Sequence, residues 1–213
     1  MEVSKESSSE IYREYRRRMR RQTLEDVFMW SCKEGHLDIS KKIYSENKID
    51  IVFMDDYSFK CACMNGHFET AKWIQSLKEI KNISVETSYD TTFAFVCSGG
   101  YLDMAKWLYS LDLQINIHNQ DDLAFTRSFR YGYLDVAKWL YSLDDKINIE
   151  TLGKELMKYS MKMDRYDNAG WLSDKGIDTS VCEKNKLNKY YEWLYNPDNT
   201  FVEGLIKNFE DNM

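Results

Sequence analysis

GHLDISKKIYS (35–45), GHFETAKWIQS (66–76), GYLDMAKWLYS (100–110) and GYLDVAKWLYS (132–142) are four versions of one phrase. Their glycines, Gly35, Gly66, Gly100 and Gly132, fall 31, 34 and 32 residues apart. A near-constant period of this length means that the chain folds as a small supersecondary unit stacked on copies of itself. Working outward from the glycine defines that unit.

Seven residues before the glycine stand Phe28, Phe59, Phe93 and Phe125, and three before it stand Cys32, Cys63, Cys97 and Phe129. Positions four apart share one face of a helix, so a first helix of roughly ten residues is predicted here. Acidic residues, Glu25, Asp56, Asp90 and Asp122, are expected to open it at the positive end of its dipole. The glycine then ends the helix by taking the left-handed conformation that a residue with a Cβ avoids.

A second helix follows, with an apolar stripe of Leu102, Ala105, Leu108 and Tyr109 in one copy and Leu134, Ala137, Leu140 and Tyr141 in the next. Asp38, Glu69, Asp103 and Asp135 fall in its first turn. Beyond it, Ile49/Ile51, Ile83/Val85, Ile115/Ile117 and Ile147/Ile149 alternate with polar residues, the pattern of an extended connector.

Helix, tight turn, antiparallel helix and extended loop in about 33 residues resemble the ankyrin repeat. The G-H-L-x-x-A-K-W-L core carries the resemblance, as do the glycine–histidine steps Gly35-His36 and Gly66-His67. The sequence departs from the family in lacking a Thr-Pro-Leu-His opening. Trp73, Trp107 and Trp139 stand where leucine is usual, and Tyr101 and Tyr133 follow two of the glycines. Tryptophan-rich arrays of this kind look like the ankyrin families of large DNA viruses that infect amoebae.

The predicted fold class is all-α: an ankyrin-like helix-turn-helix solenoid with short extended or hairpin loops between repeats. Five repeats are expected over 23–180, at about 23–51, 52–85, 86–117, 118–149 and 150–180. The fifth is degraded. Trp171 continues the tryptophan series, Met157 and Met161 take the two core positions, and Asp164 replaces the glycine, a position it can fill by turning left-handed. Residues 1–22 are read as an arginine-rich cap helix. Residues 181–213 are read as a C-terminal helical cap, with Tyr190, Trp193, Leu194 and Tyr195 before Pro197 and Phe201, Leu205, Ile206 and Phe209 after it.

Composition narrows the function classes. The chain carries a net charge of −6, but residues 1–22 hold seven basic and four acidic side chains. Six of the nine arginines, Arg13, Arg16, Arg17, Arg18, Arg20 and Arg21, form one basic patch there. The lysine-using, net acidic repeats argue against broad binding to a phosphate backbone, so nucleic acid could enter only through these arginines. Neither a secretory signal nor an apolar stretch of the ~20 residues needed to cross a bilayer is seen, and the expected location is cytoplasmic, or nuclear if the arginines act as an import signal. An odd number of cysteines without paired spacing fits a reducing compartment.

The residues that look chemical fall into the repeat register. Cys32, Cys63 and Cys97 repeat one core position, so helix packing separates them by roughly 8–10 Å, too far to share a metal ion or a disulfide. His36 and His67 follow the turn glycine and are expected to fix the turn by hydrogen bonding. Tryptophans in phase with leucine are expected to cover the seams between modules, and the pairs Asp55/Asp56 and Asp121/Asp122 to serve as helix-start charges. In the leader, Ile11, Tyr15 and Met19 form a stripe that would pack on the first module with the arginines outward. No cofactor, metal site or catalytic group is predicted.

The resemblance implies a non-enzymatic scaffold that binds another protein along the concave face. Tyr57, Tyr89, Asp90, Thr91, Gln120, Asp121 and Asp122 are the expected contact residues, suited to a basic or polar partner. Charge reversal at Asp56, Asp90 and Asp122 would then weaken capture and leave the fold intact. The alternatives are a nucleic-acid-associated or nuclear-targeted protein acting through residues 13–21, and an adaptor to a ubiquitin ligase. No leucine-proline opening surrounds Pro197 to support the adaptor.

Overall fold

The computed structural model describes residues 8–47, 49–80, 88–111, 113–143, 147–182 and 184–194. The connector pair Ile83/Val85, the side chain of Asp55 and the tail residues Tyr195, Pro197, Phe201, Leu205, Ile206 and Phe209 lie outside the described residues. Among the described residues every regular element is a helix, and the fold is an ankyrin-like helical solenoid. The chain divides into two compact units, 1–115 and 116–213.

Unit 1 contains α1 (Ser8–Arg18), α2 (Leu24–Lys33), α3 (Leu37–Glu46), α4 (Phe53–Met64), α5 (Phe68–Ile80), α6 (Asp90–Ser98) and α7 (Leu102–Ser110). After α1 the helices come in antiparallel pairs, and the first helices α2, α4 and α6 pack in series. Unit 2 contains α8 (Asn119–Tyr131), α9 (Leu134–Leu143), α10 (Ile149–Lys162), α11 (Tyr166–Asp174), a 3-10 turn at Thr179–Val181 and α12 (Lys184–Leu194). There α8 packs on α10, and α12 covers α10 and α11.

The turn chemistry follows the glycine. Gly35, Gly66, Gly100 and Gly132 have φ of +73, +78, +75 and +92. The next amide closes on the carbonyl five residues back, as in His36 N to Ser31 O at 2.8 Å and His67 N to Ala62 O at 2.9 Å. These paired bonds satisfy carbonyls that a helix end would otherwise leave without donors. The fifth copy builds the same turn without glycine: Asp164 has φ +53, and Arg165 N reaches Ser160 O at 2.8 Å. The Asp164 carboxylate accepts from Tyr166 at 2.8 Å and Lys186 at 2.7 Å, which ties the turn to α12.

Within each unit the seams are closed by the tryptophan of the following repeat. The Trp73 ring lies 6.2 Å from Phe28 and 5.7 Å from Tyr44, both in the preceding copy. Trp107 repeats the arrangement on Phe59 at 6.1 Å and Phe68 at 5.3 Å, and Trp171 on Phe125, Phe129 and Tyr141. Cys32, Cys63 and Cys97 are buried core residues, and burial pushes the Cys32 thiol up to about 12. Such thiols are packing groups with no thiolate at neutral pH.

One expectation needs correction. Asp56 and Asp122 do not begin regular helix. Asp56 has φ +62, and Gln120, Asp121 and Asp122 have φ of +53, +54 and +59, so each backbone turns left-handed and carries its acid inward. Aspartate tolerates this because its short polar side chain bonds locally. The connectors are short loops among the described residues. Ile49, Ile51, Ile117 and Ile147 are buried, and Ile149 already belongs to α10.

Candidate functional site

The first helices present one face to the core and another to solvent. Phe28, Phe59, Phe93 and Phe125 mark the buried face. Two residues further along each helix stand Trp30, Cys61, Phe95 and Arg127, of which Phe95 is exposed, Trp30 and Arg127 are half-buried and Cys61 is buried. In unit 1 this outer face carries Tyr57 on α4 and Phe95 on α6, 43% and 44% exposed. The Tyr57 hydroxyl donates to the Cys61 sulfur one turn on and shields it from solvent.

The expected contact residues separate into two groups. Tyr57, Thr91, Gln120 and Asp121 are exposed, and Asp90 is half-buried in the first turn of α6. Tyr89 and Asp122 are not surface groups. Tyr89 is 3% exposed, and its hydroxyl donates to Asp56 Oδ2 at 2.7 Å. The same oxygen accepts from Lys78 Nζ at 2.6 Å, with Lys78 4% and Asp56 0% exposed. Asp122 pairs with His118 Nδ1 at 2.5 Å.

Asp56, Lys78 and Tyr89 therefore form a buried polar cluster that joins α4, α5 and the start of α6. Burial pushes the Asp56 carboxyl up, against the Lys78 ammonium and the Tyr89 hydroxyl, which pull it down. Burial and the facing carboxylate together hold the Tyr89 phenol protonated. Nothing in the spacing of residues 56, 78 and 89 announces this cluster, because its members occupy three different positions of the repeat.

The arginine patch has the geometry of a cap with a charged outer side. The Tyr12 hydroxyl donates to Asp38 Oδ2 at 3.0 Å and Tyr15 is buried, which fixes α1 against the first repeat. Arg13, Arg16, Arg17, Arg20 and Arg21 are exposed. Arg18 is half-buried, with its guanidinium 4.7 Å from the centroid of Trp30. Glu14 pairs with both Arg17 and Arg18 at 2.8 Å. Met19, placed in the packing stripe by its spacing, is exposed, and Tyr12 takes that role.

His67 has a structural task that reaches across a seam. Its ring bonds the backbone of Lys33 and lies against Gly35, where a Cβ would stand 2.3 Å from Nδ1. Tyr101 covers Gly66 in the same way one repeat later. Burial lowers the pKa of His67 below its ordinary 6.5, with the Lys33 backbone bond opposing. A histidine that resists protonation when folded contributes fully above its unfolded value, and that contribution is lost as pH falls through the folded value. Thermal stability should therefore fall below about pH 6.5. His67→Tyr should flatten that part of the profile, whereas equal acid sensitivity in both proteins would place its origin elsewhere.

Among the described residues no group of three His, Cys, Asp or Glu side chains could hold a metal ion. No helix among them is long and apolar enough to cross a membrane. No protein-family model matches the chain, and no curated protein matches it. A solved structure, the human ASB11 ankyrin repeat domain, superposes with a TM-score of 0.50 at 16% sequence identity, over 71% of this chain and 69% of that one. That likeness agrees with the glycine turns and tryptophan seams: the fold is an ankyrin-like repeat array.

Proposed function

We propose that the protein is a non-enzymatic scaffold holding a partner protein along the outer face of its first helices, the concave side of an ankyrin-type array. Tyr57 and Phe95 carry this reading: two large side chains kept open to solvent on adjacent helices α4 and α6. Aromatic groups on rigid helices bind with little loss of side-chain freedom and are typical anchors at protein interfaces. Asp90 and Thr91 begin α6 in unit 1, and Gln120 and Asp121 are exposed in unit 2. The tryptophan-rich repeat further supports an origin among large DNA viruses, which would make the host-cell cytoplasm the working compartment.

The test is capture from the native cell with the wild-type chain and with Tyr57→Ser combined with Phe95→Ser. The double variant should keep its helical circular dichroism and lose the proteins that the wild type retains. Retention of the same proteins would sink the reading. The exposed arginines of α1 favour a second reading, nucleic-acid association. Capture lost on neutralising Arg13, Arg16 and Arg20, with affinity falling steeply with salt, would replace the first reading by this one.

A further inference from the structure

Outside the leader the chain has three arginines, Arg127, Arg130 and Arg165, and lysine supplies every other basic residue there. All three belong to unit 2, two on α8 and one in the turn between α10 and α11. The guanidinium of Arg130 lies 5.8 Å from the ring centroid of Tyr159 on α10, and that of Arg165 lies 5.9 Å from the same ring. Arg165 is held in place by the neighbouring turn. Its Nε would stand 3.1 Å from a Cβ on Gly132, so the bare glycine makes room for it.

Among the described residues neither of these two cations forms an ion pair. The ion pairs described in unit 2, His118–Asp122, Lys158–Glu155 and Lys186–Asp164, use neither Arg130 nor Arg165. Arg165 Nη1 is buried and has no acceptor. Two like charges against one ring repel each other. An oxyanion that reaches this pair offsets that repulsion and gains charge-assisted hydrogen bonds. The planar guanidinium fork suits a carboxylate in a way the point charge of lysine does not.

We propose that Arg130, Tyr159 and Arg165 form an oxyanion subsite that takes the carboxylate side chains of an acidic peptide segment. The proposal rests on the reading of the first-helix face as the docking surface and gives that face a charge preference in unit 2. It reverses the expectation of a basic partner drawn from the aspartates, since Asp122 is turned inward. A peptide fits better than a nucleic acid. A long polyanion would also meet the exposed carboxylates Asp121, Asp135, Glu150 and Glu155, whereas a single side chain needs only the arginines.

The test is fluorescence anisotropy of the full chain with a labelled peptide of repeated Glu-Gly-Ser units, its Gln-Gly-Ser counterpart, and a single-stranded oligonucleotide of equal charge. The glutamate peptide should bind about tenfold tighter than the glutamine peptide. Arg130→Gln, at an exposed position, should weaken it about tenfold with thermal unfolding unchanged. Arg165→Lys keeps the charge but loses the fork and should give an intermediate loss. Arg13→Gln with Arg16→Gln should change little. Equal binding of both peptides, no effect of Arg130→Gln, or tighter binding of the oligonucleotide overturns the proposal. Partner capture lost in the Tyr57/Phe95 variant while Arg130→Gln leaves peptide binding intact overturns the subsite alone. The reverse pattern overturns the scaffold reading alone.

Discussion

Asp56→Asn should destabilise unit 1 by about 3–5 kcal/mol, the cost of leaving a buried charge without its partner. Asparagine keeps the shape of aspartate and tolerates the left-handed backbone that Asp56 adopts at φ +62, so the substitution changes the charge and little else. Lys78, 4% exposed, then has only the faces of Phe59 at 3.8 Å and Tyr89 at 5.8 Å to stabilise its ammonium. Such contacts contribute about 0.5–2 kcal/mol, less than the penalty of burying the cation. A buried cation without its partner is driven out of the interior, which loosens α5 from α4 and α6.

Lys78→Met removes the cation instead and leaves a carboxylate whose burial already opposes ionisation. The double variant Asp56→Asn with Lys78→Met should recover most of the loss, because a neutral pair needs no compensation. Denaturant unfolding with hydrogen exchange read on α4–α6 separates these outcomes. A loss below ~1 kcal/mol for Asp56→Asn would show that the pair carries no charge in the folded protein. The same geometry withdraws charge reversal at Asp56 and Asp122 as a probe of binding. Of the three acids once grouped together, Asp90 alone is not buried.

How much the sequence showed depends on whether a residue repeats. Gly66, Cys63 and Trp107 have counterparts at fixed offsets in other copies, so turn, core and seam are each legible by aligning the repeats. Asp164 could be assigned too, because its backbone task is the one glycine performs in the other copies. The Asp56–Lys78–Tyr89 cluster could not be assigned, since lysine at position 78 and tyrosine at position 89 have no counterparts in the other repeats. Gly153 was equally silent. It lies inside α10, where glycine weakens a helix, and its reason is Ile177, whose Cδ1 would stand 2.6 Å from a Cβ. The outer face was half legible. Trp30, Cys61, Phe95 and Arg127 share one register position, but their chemistry differs in every copy, and a search for sameness passes over them.

Trp171→Ala should cost unit 2 about 3–5 kcal/mol and should open the seam between its repeats as well as loosening α11. Trp171 is buried, yet its aromatic neighbours all belong to the preceding copy: Tyr141 at 5.5 Å, Phe129 at 5.8 Å and Phe125 at 6.2 Å. The ring is therefore mainly an interface group. In a repeat array, stability is approximately a sum of weak single-repeat terms and strong neighbour terms, so removing the ring lowers the term that holds the pairs together. The hydrogen bond from Asn168 Nδ2 to Phe129 O at 2.8 Å spans the same seam and should be lost with it. Hydrogen exchange should accelerate in α8 and α9 as well as in α10 and α11. Acceleration confined to α11 would mean that Trp171 stabilises only its own helix. Trp171→Phe should restore part of the loss, because a smaller ring still reaches Phe129. Phe125→Ala combined with Trp171→Ala should cost less than the two single losses added, by the 0.5–3 kcal/mol typical of touching residues. Strict additivity would place the two rings in separate clusters, contrary to their contact.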